Sequence, residues 1–232
     1  MLKGAAPRGT HEEYTMKPLS IACGLALGLA FATSAPVALA HGDAMPAAAS
    51  TAATTAPQLH AAMRALWHGH IVHTRAYAMA VKHGDSKAAA QAANDVVANA
   101  KQIAGAVASF YGKPAGDQML TLLAGHWGGV KALTDAGHAG DHAAHDKAMH
   151  DLADNATAIA KFLAGANPNL PEATVQGLLM MHVADHDTEI GQIMSGDTAG
   201  EAATWAHMQA HMNTIADALA GAIAKQFPAK AT

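Results

Sequence analysis

Lys82-His83-Gly84-Asp85-Ser86, Ala139-Gly140-Asp141-His142 and Ser195-Gly196-Asp197-Thr198 are the stretches on which the fold of this chain turns. In each, glycine, which ends helices in a left-handed conformation, stands directly before aspartate, which caps a new helix. The three Gly-Asp pairs are 56 residues apart. The same interval relates Leu66, Leu122 and Leu178, then Ile103, Ile159 and Ile215, then the apolar set Val107, Leu163 and Leu219. It also relates His70, His126 and His182, and Asn99, Asn155 and His211. Turns, apolar positions and polar positions held in one register predict three tandem helical hairpins.

Outward from these turns the apolar spacing is helical over 59–82, 86–111, 116–137, 142–165, 171–194 and 198–227. The breaks are rich in Gly, Pro, Asn and Asp, and no alternating β-branched run suggests a strand. The expected fold is all-α: a six-helix bundle forming one domain over 59–228, with repeats of about 59–114, 115–170 and 171–228. Residues 41–58 read as a flexible leader, being rich in Ala, Thr and Pro without periodicity. Residues 1–40 read as an upstream segment followed by a secretory signal peptide: Met16-Lys17 is the basic start, Leu19 to Val37 the apolar stretch, and Ala38-Leu39-Ala40 the cleavage pattern. That predicts export to the periplasm or medium, with no stable membrane insertion after cleavage.

Composition narrows the chemistry. The chain holds 16 histidines but a single cysteine, Cys23, which lies inside the apolar leader stretch. A soft ion would therefore be held by imidazole, carboxylate or thioether and not by thiolate. A net charge of -4 offers no positive footprint for nucleic acid. There is no Gly-rich phosphate loop, nucleophile elbow or His-Glu-x-x-His, and after Ala40 the only glutamates are Glu172, Glu189 and Glu201, too few for a ferritin-type carboxylate site.

In an antiparallel hairpin, residues equidistant from the turn lie at one height. This levels His70 with Asn99, His126 with Asn155, and His182 with His211. One turn nearer the loop the pairs are Thr74 with Asp95, Val130 with Asp151, and His186 with His207. With these faces inward, His70, His126, His182 and His211 would cross the centre as a polar layer beside Asn99 and Asn155.

Leu66-Trp67-His68-Gly69-His70 through Thr74-Arg75, Phe110-Tyr111-Gly112-Lys113-Pro114, Leu122-Leu123 with His126, and Lys225-Gln226-Phe227-Pro228 resemble an uncharacterised family of exported bacterial helical proteins over about residues 59–228. The resemblance implies a histidine at each of His70, His126, His182 and His211, and an asparagine at Asn99 and Asn155. It implies no activity. His73 stands where the family often has Trp, and His186 and His207 are additions of this chain.

The leading candidate site is His182, His186, His207 and His211, two His-x-x-x-His pairs that each put both imidazoles on one helix face. Four neutral imidazoles suit copper or zinc. His70 and His126 are further candidate ligands through the central layer, with Asn99 and Asn155 as orienting neighbours of the ligands. Asp185, Asp187 and Glu189 are candidates for holding ligand nitrogens. A second candidate patch is His142, Asp146 and His150, recurring every fourth residue, with His138, Asp141, His145 and Asp154 around it. His41, the expected mature N-terminus, adds an amine-imidazole chelate for copper near Asp43 and Met45. The expected function is transition-metal binding or buffering, copper ahead of zinc, with affinity falling below about pH 6.5 as imidazoles protonate. The competing readings are a non-enzymatic bundle with a saturated His/Asn network, and a haem or redox-active metal bundle. Metal ions are the expected partners, and a homodimer is a candidate assembly.

Overall fold

The computed structural model describes residues 56–231. The expected signal peptide, nearly all of the leader and the His41 chelate lie outside the described residues. Six helices follow one another: α1 Pro57–Lys82, α2 Ser86–Tyr111, α3 Lys113–Ala139, α4 His142–Ala166, α5 Glu172–Ser195 and α6 Thr198–Gln226. There is no strand among the described residues.

The Gly-Asp turns work as their chemistry dictates. Gly84, Gly140 and Gly196 take φ of +69°, +67° and +79°, a region open to glycine at little cost. The following aspartate donates its N–H back to a helix carbonyl: Asp85 to Ala80, Asp141 to Ala136 and Asp197 to Gln192, each 3.0 Å. Its carboxylate then accepts from the N–H of Ala88, Ala144 or Gly200 at the start of the next helix. One residue thus closes the outgoing helix and caps the incoming one.

The other joins differ. Only Gly112, at φ +87°, separates α2 from α3. Pro114 in the first turn of α3 needs no N–H partner there, so that helix starts three residues before the 116 expected from apolar spacing. Gly116 on α3 lies so close to α2 that an added Cβ would stand 2.8 Å from the Ala104 carbonyl oxygen and 2.7 Å from the Ala108 Cβ. The longer join at Asn167–Pro171 carries a buried polar knot. Asn167 Nδ2 donates to the Tyr111 hydroxyl at 2.9 Å, that hydroxyl donates to Gln226 Oε1 at 3.0 Å, and Gln226 Nε2 donates to the Ala166 carbonyl at 3.1 Å.

Each helix packs on the next, and α6 packs back on α1, so the bundle closes on itself. The α1/α6 seam is pinned by Arg64 on Asp217 and by Arg75 on Glu201. Across the middle, α1, α3 and α5 touch one another, while the even-numbered helices make at most marginal contact among themselves. The odd helices therefore form an inner triangle, braced on the outside by α2, α4 and α6. Buried alanines such as Ala156, Ala160, Ala216 and Ala220 let the helices approach closely. No helix among the described residues is long and apolar enough to cross a membrane.

Candidate metal centre

Three side chains at one height on the inner triangle face one another. The rings of His70 on α1, His126 on α3 and His182 on α5 have centroids 5.5, 5.6 and 5.7 Å apart, a near-equilateral set. His186, one turn further along α5, places its ring 5.9 Å from both His70 and His126 and 4.3 Å from His182. The fourth ring thus stands off the triangle as an apex. It fits because the corresponding places on α1 and α3 carry the smaller Thr74 and Val130, both buried. The Thr74 hydroxyl is occupied by donating to its own helix, to the carbonyls of His70 or Ile71, and does not compete for the imidazoles.

One nitrogen from each of the four rings lies within 4.8 Å of the others, and all four residues are buried. His70 Nε2, both nitrogens of His126, both of His182 and Nε2 of His186 are buried without a hydrogen-bond partner. Buried polar atoms left in this state are costly, and one nitrogen from each ring gives four donors that a cation could take. Tetrahedral coordination at zinc-nitrogen distances requires nitrogens about 3.4 Å apart, so rings whose nitrogens now lie within 4.8 Å would have to close in on the ion.

Burial also sets the charge state. It holds His70 down at about 3 and His126 at about 4. His182 and His186 lie well below the usual histidine range, through burial first and neighbouring imidazoles second. All four rings are neutral at physiological pH, so each offers one ring nitrogen with a free lone pair. This moves proton competition to more acid conditions than the pH of about 6.5 expected from free histidine.

Asn99 and Asn155 hold the ligand-bearing turns. Asn99 Nδ2 donates to the Leu66 carbonyl at 2.9 Å and Asn155 Nδ2 to the Leu122 carbonyl at 3.0 Å. Those carbonyls precede His70 and His126 by four residues, so each is also the helical acceptor for the histidine's own N–H. In the third hairpin His211 Nε2 donates to the Leu178 carbonyl at 2.9 Å, four residues before His182. His211 thus takes the place of an asparagine. It lies on outer helix α6 and reaches the α5 backbone, whereas the layer expected from hairpin levels put it among the central rings. The asparagine Oδ1 atoms have no partner; Asn155 stands beside His126, where its amide opposes the effect of burial.

The expected four-histidine hairpin set is divided in the same way. His182 and His186 enter the centre, His211 tethers α5, and His207 has a half-exposed side chain whose Nδ1 meets Asp185 Oδ1 at 3.1 Å. Equal height in a hairpin does not fix which way a side chain points around its helix, and the outer position of α6 turns His207 away. The levelled partners Asp95 and Asp151 likewise bond neighbours on their own outer helices, Gln91 and Lys147. His142, Asp146 and His150 are exposed on α4 and are not gathered on one point: His150 meets Asp154 at 3.3 Å, while Asp146 is 3.4 Å from His145. His145 in turn bonds Asp187 at 2.8 Å, which raises its pKa.

Two acidic residues beside the centre have more weight than their spacing alone suggested. Glu189 is 1% exposed, with Oε1 3.6 Å from Arg75 Nε, and burial pushes its carboxyl up to about 7 against the pull of that guanidinium. Asp185 is buried with Oδ2 unpartnered. The signal was present in the run His182, His186, Glu189, which recurs at one-turn spacing and so follows one face of α5. No protein family, curated protein or solved structure matches this chain.

Proposed function

We propose that the protein binds or buffers a late first-row transition metal, copper ahead of zinc, in an exported compartment, through His70, His126, His182 and His186. The observation that supports this reading is the convergence of buried, neutral and unpartnered imidazole nitrogens from three inner helices. Four nitrogen donors without a carboxylate among them suit Cu or Zn and not Mg or Ca, which demand oxygen. Copper stands first because it binds nitrogen sites more tightly than zinc. A Cu(I) ion also brings less charge into a buried neutral site than a dication does.

The competing structural reading requires a saturated network, since a half-satisfied buried set costs more than an apolar layer. The network is not saturated: His70 Nε2, both nitrogens of His182 and His186 Nε2 lack a hydrogen-bond partner, and Asn155 beside His126 leaves its own Oδ1 unpaired. For haem the obstacle is space. Rings 4.3–5.9 Å apart within one packed layer suit a single ion and leave no slot for a macrocycle.

Elemental analysis of untagged protein, after reconstitution with copper or zinc and removal of excess ion, tests the reading. One ion per chain is expected, lost in a variant carrying His70→Ala and His182→Ala but retained in His207→Ala. Stoichiometric metal that depends on His207 and not on His70 would move the site to the α5/α6 face. No stoichiometric metal in the parent protein would refute metal binding.

A further inference from the structure

The centre is buried, so an ion must cross protein to reach it, and the two ends of the bundle are chemically unlike. Toward the Asn167–Pro171 end the space beside His70 is apolar. A cavity of about 30 Å³ is walled by side chains such as Met63, Trp67, Ile103, Met119 and Leu219, and the Tyr111, Asn167 and Gln226 knot ties the surrounding helices together. A cation passing there would lose its water with nothing in exchange.

Toward the Gly-Asp turns the path along α5 is polar. Three buried oxygens without partners stand on it: Asp185 Oδ2, Glu189 Oε1 and Gln192 Oε1. Their spacing of four and three residues puts them on one face of the helix, and His182 and His186 share that stripe. From His186 to Gln192 the helix rises about 9 Å. At the outer end a cavity of about 150 Å³ is lined by Met79, Lys82, His83, Gln192, Asp197 and Glu201 among others, with the Lys82 ammonium held on the Met194 carbonyl. Arg75 lies between the cavity wall and the buried carboxylate, bonded to Glu201 and stacked 5.0 Å over Trp205. Drawn toward Glu201, its guanidinium leaves Glu189 Oε1 without a hydrogen bond.

Resting on the reading of the four histidines as a metal centre, we propose that this cavity is the cation inlet. The oxygens of Gln192 and Glu189, with that of Asp185 beside His186, form a transit track that passes the ion to His186 and then to the centre. Each stop replaces part of the hydration shell with an oxygen that has no hydrogen-bond partner, and the two carboxyl stops favour a cation along the track.

The experiment is stopped-flow mixing of the full chain with cobalt(II) ion alone, read at the ligand-field band of tetrahedral nitrogen coordination, with release measured by chase into excess chelator. Glu189→Gln is expected to slow uptake about tenfold without faster release. Gln192→Leu is expected to slow uptake and release together, as a barrier on the path must. Met63→Ala, which enlarges the apolar cavity, should leave both rates alone. Parent-like uptake in Glu189→Gln and Gln192→Leu, or a loss of affinity that comes only from faster release, overturns the track while the metal centre stands. Faster uptake in Met63→Ala places the route at the apolar end. A parent protein that takes up no cobalt overturns the metal reading and the track with it.

Discussion

Acid should weaken the metal-free fold steeply, by an amount that follows from the buried rings. In the unfolded chain each imidazole takes up its proton at about pH 6.5. In the fold His70 and His126 do so only at about 3 and about 4, and His182 and His186 are also well below the usual range. A folded pKa lowered in this way gives stability that is complete above the unfolded value and is lost as pH falls below it. From about pH 7.5 to about pH 5.5 each ring then costs on the order of 1 kcal/mol, and the four together about 5 kcal/mol. Glu189 works in the opposite direction. Its folded value of about 7 lies above the 4.5 of a free carboxyl, so over the same drop the fold gains about 2 kcal/mol. The net expectation is a loss of about 3 kcal/mol, a large part of the stability of an ordinary domain.

Chelator-treated protein unfolded with urea at the two pH values, followed by circular dichroism, measures this loss. His186→Val installs the residue that Val130 supplies on α3 and should cut the loss to about 2 kcal/mol, whereas Glu189→Gln should enlarge it to about 5 kcal/mol. Comparing each variant with the parent cancels the other titrating groups to first order. A parent stability that is flat over the range, or a His186→Val variant that falls as steeply as the parent, would refute the picture of buried neutral imidazoles.

Zinc at about a hundred times its dissociation constant should stabilise the fold by about 2.7 kcal/mol and raise Tm by about 5–10 °C; thermal denaturation at pH 7.5 checks this, and an unchanged Tm argues against a tight centre. His211→Asn restores the side chain found at Asn99 and Asn155, so it should keep the metal stoichiometry and hold stability within about 1 kcal/mol, as read by elemental analysis and urea unfolding. Gly116→Ala should cost about 1–3 kcal/mol, because the added methyl meets the Ala104 carbonyl and Ala108 across the α2/α3 contact; a parent-like urea midpoint would show that the helices separate there without penalty.

Helix boundaries were legible in the sequence because their causes are local. Asp85, Asp141 and Asp197 sit within a few residues of the groups they cap, and glycine supplies the conformation beside them. The start of α3 was less legible: Lys113 and Pro114 belong to the helix by backbone geometry although apolar spacing begins later. At the site, the heights of His70, His126 and His182 followed from the shared interval. The identity of the fourth ring did not, since His186 and His211 are equally good candidates on spacing from His182.

Length, capping and periodicity by themselves determined that residues 57–226 make six helices with Gly-Asp turns inside the three hairpins, and that His70, His126 and His182 stand at matched heights. Each of those properties depends on residues a few positions apart, or on an interval that can be counted. Only the tertiary structure decided which helix faces look inward. Packing of α6 back on α1 leaves α1, α3 and α5 as the inner triangle. That placement brings His186 to the centre under the small side chains of Thr74 and Val130, leaves His211 bonded to the Leu178 carbonyl and His207 near the surface, and buries Glu189 beside Arg75. A side chain's direction around its helix axis acquires chemical meaning only when the neighbouring helices are in place.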